Sequence, residues 1–149
     1  MTRDSGPSLK SRAMRLLARR EHSRLELKRR LAAYATQGDD IEALLDDLAS
    51  RGCLSDARYA EQSIRSHARR FGPLKLAREL RSHGVDDETI AAGFRAAGAD
   101  GASSIERVWR SRFRLSPADE RERARQARFL QGRGFPLYEV IKFLRGIEH

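Results

Sequence analysis

Leu31, Leu80 and Leu130 stand 49 and then 50 residues apart, and ten residues after each comes a β-branched aliphatic, Ile41, Ile90 and Val140, that opens a further amphipathic stretch. The turn ahead of that stretch repeats as well, as Gln37-Gly38-Asp39-Asp40, His83-Gly84-Val85-Asp86-Asp87 and Arg133-Gly134-Phe135-Pro136. A period in this range is the signature of a repeat array, because a unit of that size buries little apolar surface alone and depends on its neighbours. The 149 residues therefore divide into three units and not one continuous core.

Within each unit the apolar spacing is helical. Ala57, Ala60, Ile64, His67, Ala68 and Phe71 share one side of a 100° wheel, and Ile105, Val108, Trp109 and Phe113 share another, with Arg107, Arg110 and Arg114 opposite. No stretch alternates as a strand would, and Ala, Leu, Arg and Glu, all good helix formers, dominate. Ser23-Arg24-Leu25-Glu26 and Ser103-Ser104-Ile105-Glu106 have the form of capping boxes. Ser55-Asp56 and Ser116-Pro117 are further N-terminal signals, with Pro117 suited to the first helical position. Gly52, Gly84, Gly98 and Gly134 follow apolar-periodic runs as C-terminal stops.

These signals predict nine helices, starting near residues 8, 23, 40, 55, 73, 86, 102, 117 and 136. The expected fold is all-α: three tandem three-helix repeats, 8–54, 55–101 and 102–149, forming an elongated, curved array behind a disordered segment 1–7. Gly98-Ala99-Asp100-Gly101 is the most flexible junction.

Few residue patterns support catalysis. Neither a Walker-type phosphate loop nor a strand-linked dinucleotide fingerprint occurs, and His22, His67, His83 and His149 include no i, i+4 pair for a metal. His67, beside an apolar face, is expected to be a partly buried structural histidine. The lone Cys53 excludes a disulfide within the chain and fits a small gap in a core better than it fits a nucleophile's role. Asp39-Asp40 and Asp86-Asp87-Glu88 lie at helix starts, where carboxylates favour the positive end of the dipole, and Asp46-Asp47 belongs to a solvated face. The expectation is a non-enzymatic protein without cofactor or metal. With no signal peptide and no apolar run of bilayer length, it is expected to be cytoplasmic and off the membrane. A monomer is the expected form.

Charge carries more information. Thirty Lys and Arg against 21 Asp and Glu give +9, which points to an anionic partner. The excess sits at the two ends, with +3, +1 and +5 on the successive units. Arg121, Arg125 and Arg128 form one stripe at i, i+4, i+7, and Arg107, Arg110 and Arg114 form another. In the first unit Arg19, Arg20, Arg24, Lys28 and Arg29 are dense across two helices. These eleven residues are the candidate contacts. The aromatics occupy core-periodic positions, so the basic surface suits phosphate or acidic protein better than base stacking.

Several strings together resemble the RecX family. Leu17-Ala18-Arg19-Arg20-Glu21-His22-Ser23-Arg24-Leu25-Glu26-Leu27 is similar to that family's opening motif, and Gly52-Cys53-Leu54-Ser55-Asp56-Ala57-Arg58-Tyr59-Ala60 to its Gly-x-Leu/Ile-x-Asp-x-Arg-Phe/Tyr-Ala segment. Gly72, Arg78-Glu79-Leu80 and Gly84 follow its second-unit pattern, and Phe129-Leu130-Gln131-Gly132-Arg133-Gly134-Phe135 its closing signature. The resemblance runs from about residue 9 to residue 147. It implies a regulator that binds the RecA filament on single-stranded DNA and inhibits its ATPase, its extension and strand exchange, with direct DNA contact as a further implication. It supplies no catalytic residues.

Two other readings stay open from the residues themselves. One is a free-standing DNA-binding protein of helix-turn-helix type, suggested by three-helix units and the net charge. The other is a scaffold that keeps the repeats and has no business with nucleic acid.

Overall fold

The structure, a computed structural model of the chain, describes residues 6–98 and 104–148. Residues 1–5 of the expected disordered segment, residues 99–101 of the expected flexible junction, Ser103 of the second capping box and His149 lie outside them.

Among the described residues nine α-helices form and no strand. They are α1 (Leu9–Arg19), α2 (Arg24–Ala32), α3 (Ile41–Ser50), α4 (Asp56–His67), α5 (Pro73–Ser82), α6 (Asp87–Ala97), α7 (Ser104–Arg112), α8 (Glu120–Gly132) and α9 (Leu137–Ile147). Short polar side chains set the starts. Ser8, Ser23, Asp40, Ser55 and Asp86 each accept the backbone N–H three residues on, removing one orphan donor apiece. At the other ends Gly52, Gly84, Gly98 and Gly134 take φ of +75°, +80°, +58° and +104°, which a residue with a Cβ rarely adopts.

One expected start and one expected capping box are corrected. Helix α8 begins at Glu120, not near 117, because Asp119 takes the cap: its carboxylate accepts the Glu122 N–H at 2.8 Å. A carboxylate also complements the dipole, which the Ser116 hydroxyl would not. Pro117 is left buried in the preceding loop. The capping box at Ser23 is only half closed. Ser23 Oγ accepts the Glu26 N–H at 3.1 Å, but both Glu26 oxygens are taken by the Arg20 guanidinium, at 3.0 and 2.8 Å.

Each unit builds its own core. Ala13, Leu27, Leu31, Leu45, Leu48 and Leu54 form the first, and Tyr59, Ile64, Leu76, Leu80, Val85 and Ile90 are central to the second. Val108, Trp109, Phe113, Leu130, Phe135, Val140 and Leu144 form the third. At the repeat positions Leu31, Leu80, Leu130, Ile90 and Val140 are at most 4% exposed and Ile41 is half-buried, and each fully buried side chain contributes about 1.5–3 kcal/mol of transfer free energy. On α4 the wheel holds for Ala60, Ile64 and Ala68. Ala57 and His67 are exposed, which corrects the expectation of a partly buried His67; its Nδ1 meets only the Ser63 carbonyl, at 2.8 Å.

The first and third helices cross differently from unit to unit. In the second unit a Cβ on Gly93 would lie 3.1 Å from Ile64 Cδ1 and 3.2 Å from Ala60 Cβ, so α6 and α4 pack backbone to backbone. In the third unit the α7/α9 crossing is filled by rings, Trp109 edge-on to Phe143 at 5.8 Å.

The joints between units repeat as the units do. Ser23, the N-cap of α2, donates its hydroxyl to the carbonyl of His83, the C-cap of α5, at 2.7 Å. One unit further on Gly72, the N-cap of α5, donates its N–H to the carbonyl of Arg133, the C-cap of α8, at 2.8 Å. Beside each bond the turn glycine of the later unit presses on the earlier helix: a Cβ on Gly84 would meet Leu25 Cβ at 2.7 Å, and one on Gly134 would meet Lys75 Cβ at 2.5 Å. No hydrogen bond or ion pair among the described residues links the first unit to the third. Serial contact of this kind makes an elongated array.

Candidate functional site

In the first unit the candidate cations separate into two groups. Arg20 closes α1 and turns inward onto Glu26, while Arg24 reaches across to α3, 2.9 Å from Glu42 and 2.7 Å from Asp46. Lys28 joins the same cluster, 2.5 Å from Glu42. These pairs hold Glu42 below the ordinary carboxylate range, through the Lys28 and Arg24 hydrogen bonds. Arg20, Arg24 and Lys28 are therefore tied to the fold. Arg19 and Arg29 are exposed and form no ion pair among the described residues.

In the third unit α8 carries its stripe as expected. Arg121, Arg125 and Arg128 are exposed and line one cavity of about 650 Å³ with Leu115, Ser116 and Asp119. Arg125 bonds Glu122 at 3.2 Å and lies over the Phe113 ring, whereas Arg121 and Arg128 form no ion pair among the described residues. The other triplet is not one helical stripe. Helix α7 ends at Arg112, so Arg114 lies in the following loop, and Arg110 is paired with Glu106 at 2.7 Å. Arg107 and Arg114 are exposed. Of the eleven candidates, Arg19, Arg29, Arg107, Arg114, Arg121 and Arg128 thus present charge that no carboxylate of the described residues neutralises.

The aromatics are not a platform for bases. Trp109 donates its indole N–H to Gln126 Oε1 at 2.8 Å, and Phe113 meets Phe129 edge-on at 5.3 Å, all inside the third unit. Lys75 and Arg133 stand over the Phe71 ring, at 4.3 and 5.6 Å.

A second constellation lies where the first two units meet. A cavity of about 630 Å³ has Arg20, Glu26, Tyr59 and His83 at its polar end and Phe71 and Leu76 on its wall. Tyr59 Oη and His83 Nδ1 are 2.5 Å apart, and burial followed by the Glu26 charge pushes the phenol up to about 12, so it stays protonated at neutral pH. Close by, His22 is 1% exposed. Its Nδ1 lies 3.0 Å from the Arg20 carbonyl, which only an N–H can satisfy, and Nε2 is buried without a partner. Burial drives this imidazole below its usual pKa. The sequence marks His22 only as part of a motif, since the α1–α2 connection that buries it has no periodicity.

Among the described residues no three His, Cys, Asp or Glu side chains are grouped to hold a metal ion, and no helix is long and apolar enough to cross a membrane.

The three units match three family descriptions in order: RecX, first three-helix domain, over residues 10–48; second, over 55–93; and third, over 100–144. A regulatory protein RecX of Chromobacterium violaceum is 45% identical over 141 residues, covering 95% of this chain and 91% of its own length. Another from Herminiimonas arsenicoxydans is 44% identical over 141 residues, covering 95% and 93%. The crystal structure of RecX from Lactobacillus salivarius superposes with a TM-score of 0.70 at 19% identity, over 93% of this chain and 96% of that one. A second RecX crystal structure gives 0.74 at 20% identity, over 90% and 71%. Similarity along nearly the whole length, matched unit by unit to the repeat, places the chain in the RecX family of regulatory proteins.

Proposed function

We propose that this chain binds the RecA filament on single-stranded DNA and restrains its ATP hydrolysis, extension and strand exchange, without chemistry of its own. The observation that carries this reading is the sorting of the cations. Arg20, Arg24 and Lys28 are spent on internal pairs, while Arg121 and Arg128, beside one cavity, are left facing solvent. Like charges held on one helix face repel unless an anionic surface meets them. An extended array of three units offers that charge along a length suited to a helical groove. The compartment implied is the cytoplasm, where such filaments assemble, and the acting form is a monomer.

Adding the purified chain at substoichiometric amounts to RecA on single-stranded DNA is expected to lower ATP hydrolysis and to bring the chain into the filament pellet. Unchanged hydrolysis with no co-sedimentation overturns the proposal.

Direct duplex binding is the second reading, favoured by the same unpaired arginines. Were about six phosphates neutralised, the log–log salt slope would lie near −5. Absence of duplex binding at moderate salt removes it.

A further inference from the structure

The third helix of each unit has an outer face, and the three faces differ in kind. Aligned on Ile41, Ile90 and Val140, the first unit shows Gly38, Asp39 and Glu42, the second Asp87, Glu88 and Ala91, and the third Leu137, Tyr138 and Ile141. In the third unit these side chains are 49, 76 and 40% exposed, so three of the chain's large exposed apolar residues fall within five positions. In the second unit the same positions on α6 are polar or small, and in the first Gly38 and Asp39 lie in the turn before α3, so the fold does not require apolar residues there. Monomeric proteins seldom keep such a cluster in water without a use for it.

The surroundings of the patch are basic. On α9, Lys142 and Arg145 share the outer face with Tyr138 and Ile141, both are exposed, and neither forms an ion pair among the described residues. Lys142 also borders a neighbouring groove, lined by Glu106, Glu139, Ile105 and Phe143, in which neither carboxylate pairs with it. Leu74, itself 52% exposed, lies across the joint, where its N–H donates to the Gly134 carbonyl at 2.9 Å.

We infer that the Leu137–Tyr138–Ile141 face of α9 is a docking surface for an acidic protein segment that carries its own apolar side chains, presented by the filament protein. A second copy of this chain fits poorly, because pairing the face with itself would set Lys142 and Arg145 against their own counterparts. Phosphate alone would meet the two cations but gain nothing from Leu137 or Ile141. An amphipathic acidic segment satisfies both halves: apolar anchors cover the leucine and isoleucine, carboxylates meet the cations, and the tyrosine contributes its ring with the hydroxyl at the rim.

This inference rests on the proposed function, and the two fail differently. Co-sedimentation with RecA filaments is measured for the full chain, for Tyr138→Ser/Ile141→Asp, and for Lys142→Glu/Arg145→Glu, with helicity checked by circular dichroism. Each double variant is expected to bind about tenfold more weakly or worse, with helicity kept, and the charge-reversed one with a shallower salt dependence. The single variant Tyr138→Ser, at a largely exposed position, supplies the readout if the apolar double variant fails to fold. No binding by the unaltered chain overturns the proposed function itself. Normal binding by the Tyr138→Ser/Ile141→Asp variant, or by Tyr138→Ser where that variant does not fold, overturns the docking surface alone, and normal binding by Lys142→Glu/Arg145→Glu overturns its acidic partner. An equal loss of binding to single-stranded DNA without RecA would assign the face to nucleic acid. Self-association of the unaltered chain in sedimentation equilibrium, abolished by Ile141→Asp, would assign it to a second copy. Either result overturns the inference.

Discussion

Ser23 Oγ donates to the carbonyl oxygen of His83 at 2.7 Å across sixty residues of sequence, and the same oxygen accepts the Glu26 N–H at 3.1 Å. One buried hydroxyl therefore starts a helix and fastens two units together.

Ser23→Ala removes both bonds and leaves the His83 carbonyl without this donor. The expected loss is about 2–3 kcal/mol, a cap plus an unsatisfied buried acceptor, seen as a lower urea midpoint. An unchanged midpoint would mean that solvent replaces the hydroxyl.

At the second joint Gly134 has φ +104°, and a Cβ there would stand 2.5 Å from Lys75 Cβ and 2.7 Å from the Lys75 nitrogen. Gly134→Ala is expected to cost several kcal/mol, on the order of 3, from strain and lost approach. Gly132, on the last turn of α8, has open space around it, so Gly132→Ala is expected to be neutral or stabilising by up to about 1 kcal/mol. Thermal unfolding of the two variants gives the contrast directly.

Trp109 sits among Phe113, Phe143 and Gln126 at 7% exposure. Trp109→Ala is expected to cost about 3–5 kcal/mol through the cavity it leaves. Trp109→Phe keeps most of the volume but strands the Gln126 oxygen, for about 1–3 kcal/mol. Denaturant unfolding followed by far-UV circular dichroism separates the two.

His22 makes stability depend on pH in a defined direction. Burial lowers its folded pKa below the unfolded value near 6.5, so as pH falls past about 6.5 the unfolded chain takes up a proton that the folded chain refuses. Its contribution is complete above that pH and is lost on acidification, at no more than about 1.4 kcal/mol per pH unit for one proton. His22→Gln is expected to flatten the stability curve between about pH 7 and pH 5.5; an unaltered slope assigns that loss to another group.

Arg121→Glu/Arg125→Glu/Arg128→Glu is expected to weaken filament binding by about tenfold or more and to reduce its salt sensitivity, with helicity unchanged. Arg20→Ala should behave in the opposite way. It breaks a two-point bond to Glu26 that sets the α1–α2 connection, and so costs about 1 kcal/mol of stability with less effect on binding. Loss of helicity in the triple variant would make the stripe structural.

Local physics explains what the sequence makes legible. Caps at Ser23, Asp40, Ser55 and Asp86, stops at the four positive-φ glycines, and core residues at Leu31, Leu80 and Leu130 all depend on neighbours within one or two turns, and all appear where the spacing predicts them. Arg24 and Lys28 show the limit. Their carboxylates lie on another helix, at Glu42 and Asp46, and come within reach only once α2 packs on α3. The same holds for His22, buried in the aperiodic α1–α2 connection, and for Arg114, which falls off its stripe because α7 stops at Arg112. Asp119 was open to local reasoning, but a proline two residues earlier gave a competing start.

At the second joint, N–H to carbonyl between Gly72 and Arg133, the bond itself involves no side chain, whereas at the first the Ser23 hydroxyl is joined by Asp56, which accepts the Arg24 N–H at 2.8 Å, and by the Arg58–Glu21 pair at 2.9 Å. None of these bonds uses a residue of the third helices, so attachment does not depend on the side chains of their outer faces. Substitutions can accumulate on one unit's outer faces without loosening it from the next, so an acidic, a mixed and an apolar-basic third helix can coexist on a single backbone plan, each free to specialise.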